Sequence, residues 1–258
     1  MYKLFKRTHD PGTFEVQLAG ACDPGIARDH NEDAILVQED DGRGYFLGLV
    51  CDGMGGHNAG EVASAIAIEV ISEHLQEHFG HKDTAELLDE AFSAANRRID
   101  QQADLNPDAR GMGCTAVMVL GVRNKCWVAH AGDSRAYLVD ADGKMRHLTS
   151  DHTMVQEMVD NGLITSEQAA VHPYRGRISR CLGHGKNKGQ PTINEFDLTR
   201  GDNVLLCSDG LSDVVAEEEI SALVGQRDPR SSCRRLVEAA NKAGGPDNVS
   251  AVVLRRVT

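Results

Sequence analysis

The sequence lacks the features that would place the protein at a membrane or on nucleic acid. No apolar run reaches the roughly 18 to 20 residues of a membrane-spanning helix, and no apolar stretch follows the basic N-terminal residues as in a secretory signal. The formal charge is −12, whereas a nucleic-acid surface needs clustered Lys and Arg. We therefore expect a cytosolic protein that binds neither membrane nor nucleic acid.

The sequence also lacks paired cysteine motifs and segments that would mark a domain boundary. The seven cysteines are odd in number, widely spread and never arranged as C-x-x-C. This pattern indicates reduced thiols that are mostly buried. No repeat, low-complexity tract or linker divides the chain, so we predict one domain over residues 1–258, with a flexible tail at 1–13.

Strand and helix patterns are grouped along the chain instead of alternating strictly. β-type stretches come first, and two amphipathic helical patterns follow at 61–79 and 84–103. More strands, two further helices and a last strand at 249–255 complete the order. Such grouping predicts an α+β fold of antiparallel sheets with helices packed outside.

Four aspartates stand where the chain turns at the end of an apolar strand or just before one. Asp52 and Asp209 each follow a strand and precede glycine, Asp133 follows a third strand, and Asp247 precedes the last. Each Asp alone could be an ordinary turn residue. If the four converge, their carboxylates would repel each other unless cations lay between them. Oxygen donors without His or Cys clusters suit Mg²⁺ or Mn²⁺.

A charged segment, Arg28-Asp29-His30-Asn31-Glu32-Asp33, precedes a strand. On its own it could be a solvated run of surface charge. Beside a metal cluster, however, the Arg28 guanidinium offers a planar fork to two phosphate oxygens. The two features together therefore indicate phosphate chemistry.

Eight motifs occur in order along nearly the whole chain. They are Arg28-x-x-Asn31-Glu32-Asp33, Asp52-Gly53-Met54-Gly55-Gly56-His57, Gly113-Cys114-Thr115-Ala116, Ala131-Gly132-Asp133-Ser134-Arg135, Leu148-Thr149-x-Asp151-His152-Thr153, Ser179-Arg180-x-Leu182-Gly183, Ser208-Asp209-Gly210-Leu211-x-Asp213 and Gly245-Pro246-Asp247-Asn248. In this order they resemble the PPM, or type 2C-like, metal-dependent protein serine/threonine phosphatases, in their bacterial form. The resemblance implies a four-layer α-β-β-α sandwich with two central, mainly antiparallel sheets, and a flap over residues 151–189 beside the active site.

The resemblance also implies roles for the acidic residues. Asp52 would bridge two Mn²⁺ or Mg²⁺ ions, and Gly53 would give its backbone carbonyl to one of them. Asp209 and Asp247 would complete the shell of the other ion, while Asp133 with Asp209 would hold a third. A water bridging the ions would be acidified and attack phosphorus in line.

Further residues would act around these ions. Glu32 and Asp33 would work through bound waters or hydrogen bonds, Arg28 would hold the substrate phosphate, and Asn248 would support Asp247. His57 is a candidate proton donor, because Met54 stands where eukaryotic relatives place a histidine and cannot donate a proton. The expected substrates are phosphoproteins, including a serine/threonine kinase or its targets, and the expected state is a monomer.

Two alternatives to this enzyme remain open on the sequence. Cys22 and Arg28 have the bare C-x₅-R spacing of cysteine-dependent phosphatases, although Asp23 adjoins Cys22 and no helix follows Arg28. The second alternative is a non-catalytic regulator of the same fold that binds phosphoproteins without turnover.

Overall fold

The structure is a computed structural model that describes residues 3–5, 15–40, 42–55, 59–122, 125–183, 189–225 and 228–257. Its strands are β1 (Lys3–Phe5), β2 (Val16–Asp23), β3 (Ala34–Asp40), β4 (Tyr45–Cys51), β5 (Gly53–Met54), β6 (Gly113–Cys114), β7 (Ala116–Val122), β8 (Lys125–Ala131), β9 (Arg135–Val139), β10 (Met145–His147), β11 (Thr192–Asp197), β12 (Asn203–Cys207) and β13 (Val249–Arg256). Its α-helices are α1 (Ala59–His78), α2 (Thr84–Leu105), α3 (Met154–Asp160), α4 (Ser166–Ala170), α5 (Asp209–Ser212), α6 (Glu217–Gly225) and α7 (Pro229–Lys242), with a 3₁₀ turn at Pro107–Ala109.

Two sheets face each other at the centre of the fold. One has the strand order β1-β2-β13-β12-β9-β10 and the other β11-β8-β7-β4-β3, while β5 and β6 form a separate short ladder. Neighbouring strands pair antiparallel throughout the described ladders. The prediction of antiparallel sheets is therefore confirmed.

Three apolar layers hold the sheets and helices together. Side chains such as Val50, Val117 and Val252 pack between the two sheets. A second cluster lies between α1, α2 and the outer face of one sheet, and a third lies between α6, α7 and the other sheet. Every residue of β4 is buried because this strand is covered on both faces. The predicted four-layer α-β-β-α sandwich is confirmed.

Helices α2 and α7 begin where the sequence supplies a capping group. The Asp83 carboxylate accepts the Ala85 N–H at 2.9 Å before α2, and Asp228 caps α7, which has Pro229 in its first turn. The patterns at 61–79 and 84–103 match α1 and α2 to within two residues. None of the helices in the described ranges is long and apolar enough to span a membrane.

Two segments differ from the sequence expectations. Lys3–Phe5 is an edge strand paired with β2, in place of part of the flexible tail expected at 1–13, and residues 1–2 and 6–13 lie outside the described residues. The strand forms because the edge of β2 offers unpaired backbone groups. Within 151–189, a short helical pattern of apolar residues matches α3, whereas α4 lies in a stretch without clear periodicity and is started by a capping box of Thr165 and Gln168. A bridge between Thr153 and Ile178 closes the base of this flap.

All seven cysteines fall within described residues, and none forms a disulfide. Six are buried and Cys22 is half-buried. This outcome agrees with the expectation of reduced, mostly buried thiols.

Candidate active site

A cavity of about 300 Å³ opens where strands from both sheets end. The predicted residues found in its wall are Arg28, Glu32, Asp52, Gly53, Asp133, Asp209, Asp247 and Asn248. Asp33 is buried nearby, and its Oδ2 accepts the Ser208 hydroxyl at 2.8 Å. Residues separated by more than 200 positions in the chain therefore meet at one point.

Asp52 follows β4 directly and is anchored to Thr115 at the neighbouring strand. The Asp52 N–H donates to Thr115 Oγ1 at 3.0 Å, and the Thr115 N–H donates to the Asp52 carbonyl at 2.8 Å. Burial, followed by the charges of Asp33, Asp209 and Asp133, raises the pKa of Asp52 well above its usual range, and its side chain shares a hydrogen bond with Asp209. The carboxyl group of Asp52 thus lies at the centre of the acidic cluster.

The hydroxyl of Ser208, the residue before Asp209, connects the end of β12 to Asp33. Ser208, at the end of β12, donates to Asp33 and accepts the Ser250 N–H at 2.9 Å, which fixes the start of α5 and therefore Asp209. Burial chiefly raises the pKa of Asp209 to about 6, with Asp213 and Asp247 adding to the shift. Burial likewise raises the pKa of Asp33 to about 7.

Asp133 and Asp213 both lie close to Asp209. Burial, with the charges of Asp209 and Asp151, raises the pKa of Asp133 to about 7. Asp213 lines a wider groove of about 830 Å³ that also contains Asp133 and Asp209 and runs under the flap. Asp213 was not among the residues predicted to act at the site, although its spacing of four residues from Asp209 places both on one helical face.

Asn248 organises the loop that carries Arg28. Its side-chain Oδ1 accepts the Glu32 N–H at 2.8 Å, and its Nδ2 donates to the carbonyls of Pro24 and His30 at 3.0 and 2.8 Å. The contact with Asp247 is made instead by the Asn248 backbone N–H, which donates to Asp247 Oδ1 at 2.8 Å. The side chain therefore holds the loop, and the main chain holds Asp247.

Arg28 and Glu32 reach the cavity from this loop. Arg28 Nη2 donates to Asp247 Oδ2 at 2.8 Å, and both groups are substantially exposed. Burial raises the pKa of Glu32, although the Arg28 charge opposes the shift. The guanidinium thus stands beside the carboxylates with much of its surface open to a ligand.

Gly53 brings its backbone into close contact with helix α1. A Cβ atom at this position would lie 2.3 Å from the Gly60 carbonyl oxygen and 2.5 Å from that of Glu32. A larger residue would push α1 away from the cavity. Glycine is therefore required here by packing, and Gly53 is part of the cavity wall.

The structure does not describe the candidate proton donor His57, but it does describe Cys22, the nucleophile of the alternative thiol mechanism. His57 lies outside the described residues, while Met54 lines the cavity. Cys22 lies within β2, where burial and Asp33 raise its pKa and its sulfur accepts hydrogen bonds from Asn31 and Ser250 at 2.9 and 3.0 Å. Because a nucleophilic thiol needs a lowered pKa, the structure argues against a cysteine-dependent mechanism.

The donor set fits a hard divalent cation. No three His, Cys, Asp or Glu side chains in the described ranges already form an ion-binding shell. Asp52 shares a hydrogen bond with Asp209, and Asp247 pairs with Arg28. Four of the carboxyl groups are nonetheless crowded and largely buried, those of Asp33, Asp52, Asp133 and Asp209. Asp33 Oδ1 is a buried acceptor without a hydrogen-bond partner. A bound cation would replace the shared proton and relieve the repulsion that raises these pKa values.

Comparisons with known proteins point to one family. Residues 27–253 match the family described as Protein phosphatase 2C. The chain is 41% identical over 242 residues to the serine/threonine protein phosphatase PstP of Mycobacterium tuberculosis, covering 93% of this chain and 45% of that protein. It is 34% identical over 239 residues to the serine/threonine phosphatase stp of Listeria innocua, covering 91% and 93%. The chain thus spans less than half of the mycobacterial relative and nearly all of the Listeria one.

Solved structures agree with the sequence matches. The M. tuberculosis PstP crystal structure superposes with a TM-score of 0.84 at 39% identity, covering 94% of this chain and 99% of that one. The catalytic domain of PstP in complex with two manganese ions gives 0.81 at the same identity and the same coverage. The S. agalactiae serine/threonine phosphatase gives 0.86 at 29% identity, covering 95% and 100%.

Proposed function

Because this chain belongs to the protein phosphatase 2C family, we propose that it is a metal-dependent phosphatase that hydrolyses phosphoserine and phosphothreonine in proteins. The observation that carries the proposal is the meeting of Asp52, Asp209 and Asp247 with Arg28 in one cavity. Carboxylates that attract cations and a guanidinium that attracts phosphate have complementary tasks in phosphate ester hydrolysis.

The resemblance to the family implies which residues would hold the ions, and their places in the cavity wall support that assignment. We assign Asp52, Asp209, Asp247 and the Gly53 carbonyl to two Mn²⁺ or Mg²⁺ ions, and Asp133 with Asp209 to a third. Asp213 is a further ligand candidate for the third ion, because it lines the groove beside both. When bound, such ions lower the pKa of water and neutralise charge on phosphoryl oxygens.

The protein's own groups orient the substrate. Arg28 presents paired N–H donors to two phosphate oxygens, and Asn248 keeps the loop beneath it in place. Asp33 and Ser208 hold the end of β12, so that Asp209 points into the cavity. Met54 has no proton to donate, so the leaving alkoxide takes its proton from another group or from solvent.

Phosphoproteins are the proposed partners. The substrates would include a serine/threonine kinase or its targets, which the phosphatase would oppose in signalling. We further propose that the enzyme acts in the cytoplasm as a monomer.

Comparison of the wild type with Asp209→Asn tests this function. The assay is hydrolysis of a phosphothreonine peptide with Mn²⁺. Removing one charged ligand should lower the rate roughly 10²- to 10³-fold, because metal charge contributes several kcal/mol to the transition state. Asp197→Asn, an exposed acid at the end of β11, is the matched control and should retain full activity. Equal rates for wild type and Asp209→Asn would refute the site.

The non-catalytic regulator remains the second candidate. Its distinguishing result is a phosphopeptide that binds the wild type in the presence of Mn²⁺ and is never hydrolysed. The complete carboxylate set in the cavity favours the enzyme.

A further inference from the structure

The turn that carries Asp133 is held from two sides. On one side, the Ser134 hydroxyl lies 2.6 Å from Thr115 Oγ1, the same atom that accepts the Asp52 N–H. On the other side, the turn contacts His152 at the root of the flap. Asp133 lies between these two attachments, so its position depends on both.

His152 binds both backbone polar groups of Gly132. The Gly132 N–H donates to the ring atom Nδ1 of His152 at 3.2 Å, and the backbone N–H of His152 donates to the Gly132 carbonyl at 3.0 Å. Gly132 has a φ of 121°, and a Cβ there would lie 2.6 Å from the Thr115 side chain. The glycine is therefore confined between Thr115 and His152, directly before Asp133.

The imidazole of His152 is itself fixed in one orientation. Burial, with His130 and Arg180 nearby, lowers its pKa to about 3, so the ring is neutral and Nδ1 keeps its accepting lone pair. The proton on Nε2 is donated to Thr192 Oγ1 at 2.9 Å. The ring also stacks on the buried His130, with centroids 4.3 Å apart.

The same residue joins the two ends of the flap. The Ser179 N–H donates to the His152 carbonyl at 2.8 Å, and the Thr153–Ile178 bridge follows immediately. Asp151, the preceding residue, accepts two hydrogen bonds from Arg135 at 2.9 and 2.7 Å. The flap root and the Asp133 turn therefore form one hydrogen-bonded unit.

We propose that His152 is a positioning residue that, through Gly132, sets the Asp133 carboxylate for the third ion and ties that ion site to the flap. This proposal rests on the proposed function for the role of Asp133. It assigns an influence on ion affinity to a flap residue that does not line the phosphate cavity.

Two substitutions of His152 distinguish the hydrogen bond at Nδ1 from the one at Nε2. In His152→Asn the amide oxygen can occupy the place of Nδ1 and still accept the Gly132 N–H. In His152→Gln the longer side chain reaches toward the place of Nε2 and Thr192, and leaves Gly132 N–H without its acceptor. A role in positioning Asp133 predicts that the two variants differ, although both lose the ring stack.

The measurement is Mn²⁺ binding by calorimetry. The affinity class abolished by Asp133→Asn identifies the ion held by Asp133. We expect His152→Gln to weaken that class about tenfold, as is typical for partners that orient metal ligands, and to leave the tighter classes within about twofold. We expect His152→Asn to bind Mn²⁺ close to the wild type. In the Asp133→Asn background, His152→Gln should have no further effect.

His172→Gln is the matched control. Its Nδ1 accepts the Tyr174 N–H at 3.1 Å inside the flap, so the same type of bond is lost away from Asp133. If His152→Gln does not fold, His152→Leu, which also leaves the Gly132 N–H without its acceptor, should weaken the same class about tenfold. Unchanged Mn²⁺ binding in His152→Gln or in its His152→Leu substitute, a loss in His152→Asn equal to that of the variant without the acceptor, or an equal loss in His172→Gln would overturn the proposal.

The phosphopeptide assay keeps this test separate from the proposed function. A wild type that never hydrolyses the phosphopeptide would refute the enzyme assignment, and turnover that persists in Asp209→Asn would refute the site assignment. In either case the calorimetric result for His152 would still decide whether it positions Asp133.

Discussion

Asn248→Ala should both destabilise the protein and misplace its phosphate-binding arginine. The Asn248 side chain is buried and makes three hydrogen bonds, one accepted from the Glu32 N–H and two donated to the carbonyls of Pro24 and His30. These bonds attach the loop carrying Arg28 to the turn before β13. No other side chain on that turn is placed to substitute, because Asp247 is engaged by Arg28 and the Asn248 N–H.

The expected loss follows from the number of bonds. At about 1 kcal/mol per hydrogen bond, the free energy of unfolding should fall by about 3 kcal/mol. For a chain of this size that corresponds to a decrease in Tm of roughly 6 to 12 °C. The loop would also gain freedom, so that Arg28 is presented less often to the phosphate and KM for a phosphopeptide should rise about tenfold.

Thermal unfolding and phosphopeptide kinetics, both with Mn²⁺, measure these effects. Asn203→Ala is the control: this asparagine is fully buried at the start of β12 and donates to the Gly201 carbonyl at 3.2 Å. It should lose about 1 kcal/mol of stability and leave KM unchanged. An Asn248→Ala protein with the stability loss of Asn203→Ala, or with a wild-type KM, would refute the role of Asn248 in holding the loop.

Two further predictions concern ionisation. In EDTA the free energy of unfolding should fall by roughly 3 kcal/mol for each of two groups as pH rises from about 4 to about 7, because Asp33 and Asp133 keep protons in the folded state that the unfolded chain releases. Urea unfolding at pH 5 and 7.5 measures this change in stability. Added Mn²⁺ should restore more stability at pH 7.5 than at pH 5. A free energy of unfolding that rises with pH in EDTA would contradict the prediction. Cys22→Ser should keep phosphopeptide turnover within about twofold, since its raised pKa disfavours the thiolate, and a loss above about 10³-fold would favour the thiol mechanism.

The fold was largely predictable because local patterns repeat along the chain. Apolar spacing located α1 and α2, and the grouping of strands favoured antiparallel sheets. The missed helix α4 is only five residues long and contains no buried residue, so periodicity had no apolar stripe to detect. The short edge strand Lys3–Phe5 was missed because its pairing depends on the exposed edge of β2 rather than on its own sequence.

By itself, the sequence determined the kinds of groups available for chemistry. Aspartates at strand ends, a neighbouring arginine and eight ordered motifs indicated a metal-dependent phosphatase before any contact was known. These signals are local, because a carboxylate beside a glycine at the end of an apolar strand can be recognised within a few residues.

Only the tertiary structure decided which groups meet and what supports them. Asn248 reaches Glu32 across 216 residues, and the Ser208 hydroxyl reaches Asp33 across 175, because the register of the central strands aligns their ends. The role of Asp213, and the connection from His152 through Gly132 to Asp133, depend on the same packing. Side-chain contacts of this kind are set by sheet pairing and burial over the whole chain, which no local pattern encodes.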